Sequence, residues 1–118
     1  MRLLKSSSAL FFGLGFLAAQ APALAQLTPA GEGRRLFLEY NCYSCHGNRA
    51  QGGMGPRIVH AEAGDLSEVV REGGDSGMLS YGSLLSTTDI NNLFAYLSSI
   101  GTPNEPMFYD WWVPVPSK

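Results

Sequence analysis

Cys42-Tyr43-Ser44-Cys45-His46 is the stretch on which the reading of this chain turns. Five residues carry two thiols three positions apart and an imidazole directly after the second. A bare C-x-x-C serves as a redox dithiol or as half of a zinc site, whereas C-x-x-C-H is the pattern of covalent haem attachment. A redox dithiol usually follows a strand in a βαβ setting, and no strand pattern precedes Cys42. A zinc site needs another thiol or well-spaced histidines, and beyond the motif only His60 remains. Haem attachment uses both thiols and the imidazole of the pattern: each thiol adds across one vinyl group, and the adjacent imidazole is brought over the iron.

Upstream, Thr28 is an N-cap with Pro29 at the first helical position, where a missing N–H costs nothing. The helix so begun runs toward Asn41, and Gly33, Leu36, Phe37 and Tyr40 fall on one face. Downstream, residues 47–64 hold five glycines and a proline without sustained periodicity, so a long loop is expected. A short helix follows over 65–72, with Asp65 as N-cap, Glu68 completing a capping box and Gly73 ending it. Residues 73–82 are again glycine-rich and contain Met78. The last helix is the best marked: Ser86 and Asp89 form a capping box, and Ile90, Leu93, Phe94, Leu97 and Ile100 repeat at helical spacing until Gly101 and Pro103 stop it.

Taken in order, Gly33-Arg34-Arg35-Leu36-Phe37, Cys42-Tyr43-Ser44-Cys45-His46-Gly47, Gly55-Pro56, Gly77-Met78 and Leu93-Phe94-Ala95-Tyr96-Leu97 resemble the class I cytochromes c over residues 28–100. The resemblance implies an all-α fold with one haem c, its first and last helices crossing near Gly33, Phe37 and Tyr96 and its loops wrapping the cofactor. It implies covalent attachment through Cys42 and Cys45, iron ligation by His46, and a Pro56 carbonyl that accepts the second ring N–H of His46. It implies Met78 as the sixth ligand, in preference to Met54, Met107 and His60. Leu79 departs from the family, which commonly has proline after the ligand methionine, and this puts the strength of that ligand in question. Arg57, Arg71 and Tyr81 are candidates for the propionates, although surface charge and core packing explain them equally well.

Outside this unit the chain has two other parts. Residues 1–25 have the order of a secretory signal peptide: Arg2 and Lys5, an apolar run of about 11 residues, and Ala23-Leu24-Ala25 before Gln26. That run is too short to span a bilayer, so no membrane span is expected after cleavage and a periplasmic location is. The cytochrome-like domain is assigned to 26–101 and a C-terminal arm to 102–118. The arm interleaves four prolines with Phe108, Tyr109, Trp111 and Trp112 and is expected to be extended. The net charge is −2 overall and about −4 without the leader, which makes nucleic acid an unlikely partner.

With two axial ligands supplied by the protein, the iron would have no open position, and methionine opposite histidine raises the reduction potential. No Ser/His/Asp set, paired carboxylates with a base, or phosphate loop is present. The expectation is an electron carrier rather than an enzyme. Its partners are redox proteins: a periplasmic dehydrogenase upstream, of quinoprotein type on the family's habit, and an oxidase or another cytochrome downstream. The alternative is a haem protein with a labile sixth ligand, acting as a gas sensor or minor peroxidase.

Overall fold

The computed structural model of the protein describes residues 13, 15 and 27–106, and among these the regular structure is helical, with no strand. Residues 1–12, 14, 16–26 and 107–118 lie outside the described residues, and with them the cleavage site, Met107 and the aromatic part of the arm. Four helices follow in order: α1 (Pro29–Glu39), α2 (Cys42–His46), α3 (Ala63–Glu72) and α4 (Thr87–Ser99). None is long and apolar enough to cross a membrane.

Helix α1 starts as its sequence dictates. The Thr28 hydroxyl accepts from the Gly31 N–H at 3.1 Å, and Pro29 occupies the first turn. Its far side carries Arg35, whose guanidinium pairs with Glu32 and Glu39 one turn away in either direction. The inner side buries Leu36 and Phe37.

The principal interhelical contact is α1 against α4. It is possible because position 33 has no side chain: a Cβ there would stand 1.8 Å from the Asn92 carbonyl oxygen and 2.8 Å from Tyr96 Cβ. Glycine weakens a helix locally, but here it lets two backbones touch. One turn along, the rings of Phe37 and Tyr96 meet edge to face with centroids 5.3 Å apart, a favoured aromatic geometry. Leu36, Ala50, Leu66, Val70, Leu85, Ile90, Leu93, Leu97 and Ile100 complete the core. The α1/α4 stripes named from the sequence are thus largely the buried ones, with Tyr40 and Phe94 only half-buried and Tyr96 added at 1 % exposure.

Two boundaries differ from expectation. Helix α3 begins at Ala63 with Glu62 as N-cap and no side-chain cap bond. Asp65 therefore sits inside the first turn, where its charge faces the positive end of the helix dipole, instead of capping it. The attachment motif itself is a short helix, α2, entered through Asn41 in the left-handed region at φ 58° and left through Gly47 at φ 85°. At the other end, α4 has the expected box, Ser86 Oγ accepting from the Asp89 N–H and the Asp89 carboxylate accepting from the Ser86 N–H.

The first residues of the arm are not extended. Residues 101–105 turn back on themselves, Glu105 accepts from the Gly101 N–H at 3.0 Å, and the Arg34 guanidinium of α1 donates to the Pro106 carbonyl. Arg49 holds Glu105 with both nitrogens of a fork, Nε at 2.8 Å and an Nη at 2.7 Å. The chain is thereby strapped from the end of α4 to α1 and to the loop that follows α2.

Candidate haem-binding site

Helix α2 places Cys42 and Cys45 within one turn of each other. Cys42 is half-buried and Cys45 exposed. Loss of solvent pushes the Cys42 thiol up to about 11, and the neighbouring Cys45 adds to the shift. A buried thiol of this kind is held in its neutral form near pH 7. The phenol of Tyr81 is also raised, first by burial and then by the two thiols, which places this residue of the second glycine-rich loop beside the attachment motif. Its ring meets that of Tyr40, the residue that follows α1, edge to face at 6.0 Å.

His46 is buried. Its Nδ1 lies 2.8 Å from the Pro56 carbonyl oxygen. A carbonyl can only accept, so Nδ1 carries the proton and Nε2 keeps the lone pair that a metal needs. The loop is brought to the ring by small residues: a Cβ on Gly55 would be 2.9 Å from His46 Cε1 and one on Gly53 would be 2.9 Å from the Cys45 carbonyl. Backbone bonds hold the same loop in place, Gly55 N–H to Cys45 O at 2.8 Å and Gly52 N–H to His46 O at 2.7 Å. The imidazole is thus oriented, with its tautomer set from outside.

The second loop carries Met78, half-buried and packed on the core. Its backbone is pinned by the Gly74 N–H, which donates to the Met78 carbonyl at 3.1 Å. Met54 is 89 % exposed, on the His46 side of the motif. His60 is committed elsewhere: its Nε2 is 2.9 Å from the Ile100 carbonyl and its N–H bonds to Leu97 O, so the ring closes the end of α4. Arg71 turns its guanidinium to Ser67 and Thr87. Sequence reasoning missed the Arg34, Arg49 and Glu105 strap and the contacts of Ser80, because nothing in local spacing marks pairs so far apart in the chain.

The residues present fit a covalently attached haem. Two thiols share one turn, the following imidazole is buried with its coordinating nitrogen free of the Pro56 bond, and glycines at 53 and 55 let the loop close on the ring and on the Cys45 carbonyl. Among the described residues no three His, Cys, Asp or Glu side chains gather into a metal cage, which a zinc site would require.

Comparison with known proteins agrees with this chemistry. The family model described as cytochrome C oxidase, cbb3-type, subunit III matches residues 28–97. No curated protein and no solved structure matches the chain significantly. The matched segment begins at the N-cap of α1, ends within α4 and includes the whole C-x-x-C-H motif, so the chain belongs to this family of c-type cytochrome domains, which carry covalently bound haem c and transfer electrons.

Proposed function

We propose that the protein is an exported, periplasmic carrier of single electrons and not an enzyme, with Cys42 and Cys45 as thioether attachment points and His46 Nε2 and Met78 as the axial ligands. When bound, haem supplies a one-electron iron couple. The observation that carries the reading is the hydrogen bond from His46 Nδ1 to the Pro56 carbonyl, which in the neutral ring puts the proton on Nδ1, turns Nε2 to the metal and fixes the plane of the ring. Met78 is supported by its half-buried position on a loop tied to the core, and His60 is disfavoured because its ring and its backbone N–H are both tied to the end of α4. With His46 and Met78 both holding it, the iron would be closed to small molecules, which favours a carrier over a gas sensor.

Partners are redox proteins: a dehydrogenase, of quinoprotein type, as donor, and an oxidase or second cytochrome as acceptor. The family's description names an oxidase, which supports the acceptor side of this scheme. The domain is assigned to 26–101, preceded by a cleaved leader and followed by an arm of 102–118.

The test has two stages. The holoprotein is denatured in acid and extracted with organic solvent; pigment that stays with the polypeptide supports thioether attachment, and pigment that leaves refutes it. Carbon monoxide is then added to the reduced protein. A carrier resists it in the wild type and admits it in Met78→Ala, whereas an immediate wild-type response would establish the open-iron alternative.

A further inference from the structure

The loop that bears Met78 begins and ends on the same helical turn. The last turn of α3 leaves carbonyls without helical partners, as every helix end does. The helical ladder ends at Val69 O, and the next two carbonyls are taken up by the returning loop. Val69 O accepts from the Gly73 N–H at 2.8 Å, where the loop departs, and Val70 O accepts from the Tyr81 N–H at 2.8 Å, where it returns. Arg71 O accepts from the Ser80 hydroxyl. Between these points the loop is closed internally by Gly74 N–H to Met78 O and Gly77 N–H to Gly74 O. The result is a noose with Met78 inside it.

The noose is drawn tight where glycines stand. A Cβ on Gly73 would lie 2.7 Å from Met78 O, and one on Gly82 would lie 2.7 Å from Arg71 O. The Arg71 side chain fastens the knot to the rest of the fold: Nε donates to Ser67 Oγ at 3.2 Å on α3, and an Nη donates to Thr87 Oγ1 at 2.9 Å in the first turn of α4. Leu79, between Met78 and Ser80, is 70 % exposed and so adds little packing of its own. Of the two residues that follow Met78, Ser80 is the one whose side chain grips the helix.

We propose that Ser80, through its hydroxyl on the Arg71 carbonyl, is the positioning residue that keeps Met78 seated as an iron ligand. The inference rests on the ligand assignment made above. Loosening the noose at Ser80 would cost the iron its thioether without unfolding the domain, because the α1/α4 crossing at Gly33, Phe37 and Tyr96 does not involve the Ser80 bond. An exogenous ligand then competes only with the seated fraction, so its apparent affinity reports that fraction.

The experiment uses the haem-loaded protein and three variants, Ser80→Ala, Ser80→Thr and Met78→Ala. The readouts are the thioether-to-iron charge-transfer band of the oxidised protein and the apparent affinity for added imidazole. Met78→Ala must lose the band; if it keeps it, the ligand assignment fails, and the Ser80 proposal falls with it. Given that loss, Ser80→Ala is expected to weaken the band and raise imidazole affinity by about three- to tenfold, the scale of one neutral hydrogen bond. Ser80→Thr, which keeps the hydroxyl, is expected to restore both. Should Ser80→Ala lower only the unfolding midpoint, with band and imidazole affinity as in the wild type, Ser80 is merely structural and the proposal is overturned. Failure of Ser80→Thr to restore what Ser80→Ala loses would also overturn it.

Discussion

Gly33 and the Asn92 carbonyl stand so close that a single methyl group at position 33 would lie 1.8 Å from that oxygen. The neighbour is backbone within a helix and cannot swing aside, so α1 and α4 must separate to admit alanine. Gly33→Ala is accordingly expected to destabilise the domain by about 3 kcal/mol or more, at or beyond the upper end of overpacking costs, despite alanine's better helix propensity. Urea unfolding followed by far-UV circular dichroism measures it. A midpoint equal to that of the wild type would refute the crossing.

Gly55→Ala and Pro56→Ala separate two roles at neighbouring positions. A methyl at 55 would meet the imidazole of His46, 2.9 Å from Cε1, and is expected to turn the ring and lower the yield of holoprotein. Pro56 contributes through its backbone carbonyl, which alanine retains. Pro56→Ala is therefore expected to leave the reduction potential near the wild-type value, with a modest loss of stability from added chain entropy in the unfolded state. Purified haem-to-protein ratios and a redox titration distinguish the two outcomes.

The strap between Glu105 and Arg49 gives a pH signature. The Arg49 guanidinium, hydrogen-bonded to the Glu105 carboxylate, holds that carboxyl below its usual value, opposed by partial burial and helped by the Gly101 N–H. A carboxylate with a depressed folded value stabilises fully above its unfolded pKa and loses that contribution as pH falls through the folded one. Glu105→Gln is expected to lower the melting temperature slightly at neutral pH, with the difference from the wild type vanishing in acid below the normal carboxylate range. The two melting curves measured against pH decide this; a difference that grows in acid contradicts the sign.

Two truncations address the arm. Ending the chain after Pro106 keeps the strap and removes the four large aromatics, whereas ending it after Gly101 removes both. If the aromatic segment folds back on its own domain, each truncation lowers thermal stability, the longer one by more. If it serves only to dock a partner, the cut after Pro106 leaves stability unchanged and slows electron transfer from the cognate donor.

Much of this architecture was legible because its signals are local. The Ser86 and Asp89 box, Thr28 followed by Pro29, and the five-residue motif each act within a turn or two, and each appears where its residues are. The start of α3 was misplaced because Asp65 is as well suited to the first turn as to the cap, and a helix can begin at Glu62 without a side-chain cap. Identities from the family resemblance, such as the approach of Pro56 to His46, depend on a loop whose path periodicity does not encode. The Ser80 contact and the Arg49 fork were illegible for a plainer reason: serine and arginine are common surface residues, and only the return of the chain gives them their partners.

The α1/α4 crossing also sets an order of events during synthesis. Chains emerge N-terminus first, and α1 lacks its principal partner until α4, nearly the last described part of the protein, has been made. Until those helices close, the Cys42 thiol lacks the burial that raises it to about 11 in the closed domain. Thioether formation at Cys42 is therefore easiest while α1 and α4 are still apart, and their closure and the attachment of haem are coupled events.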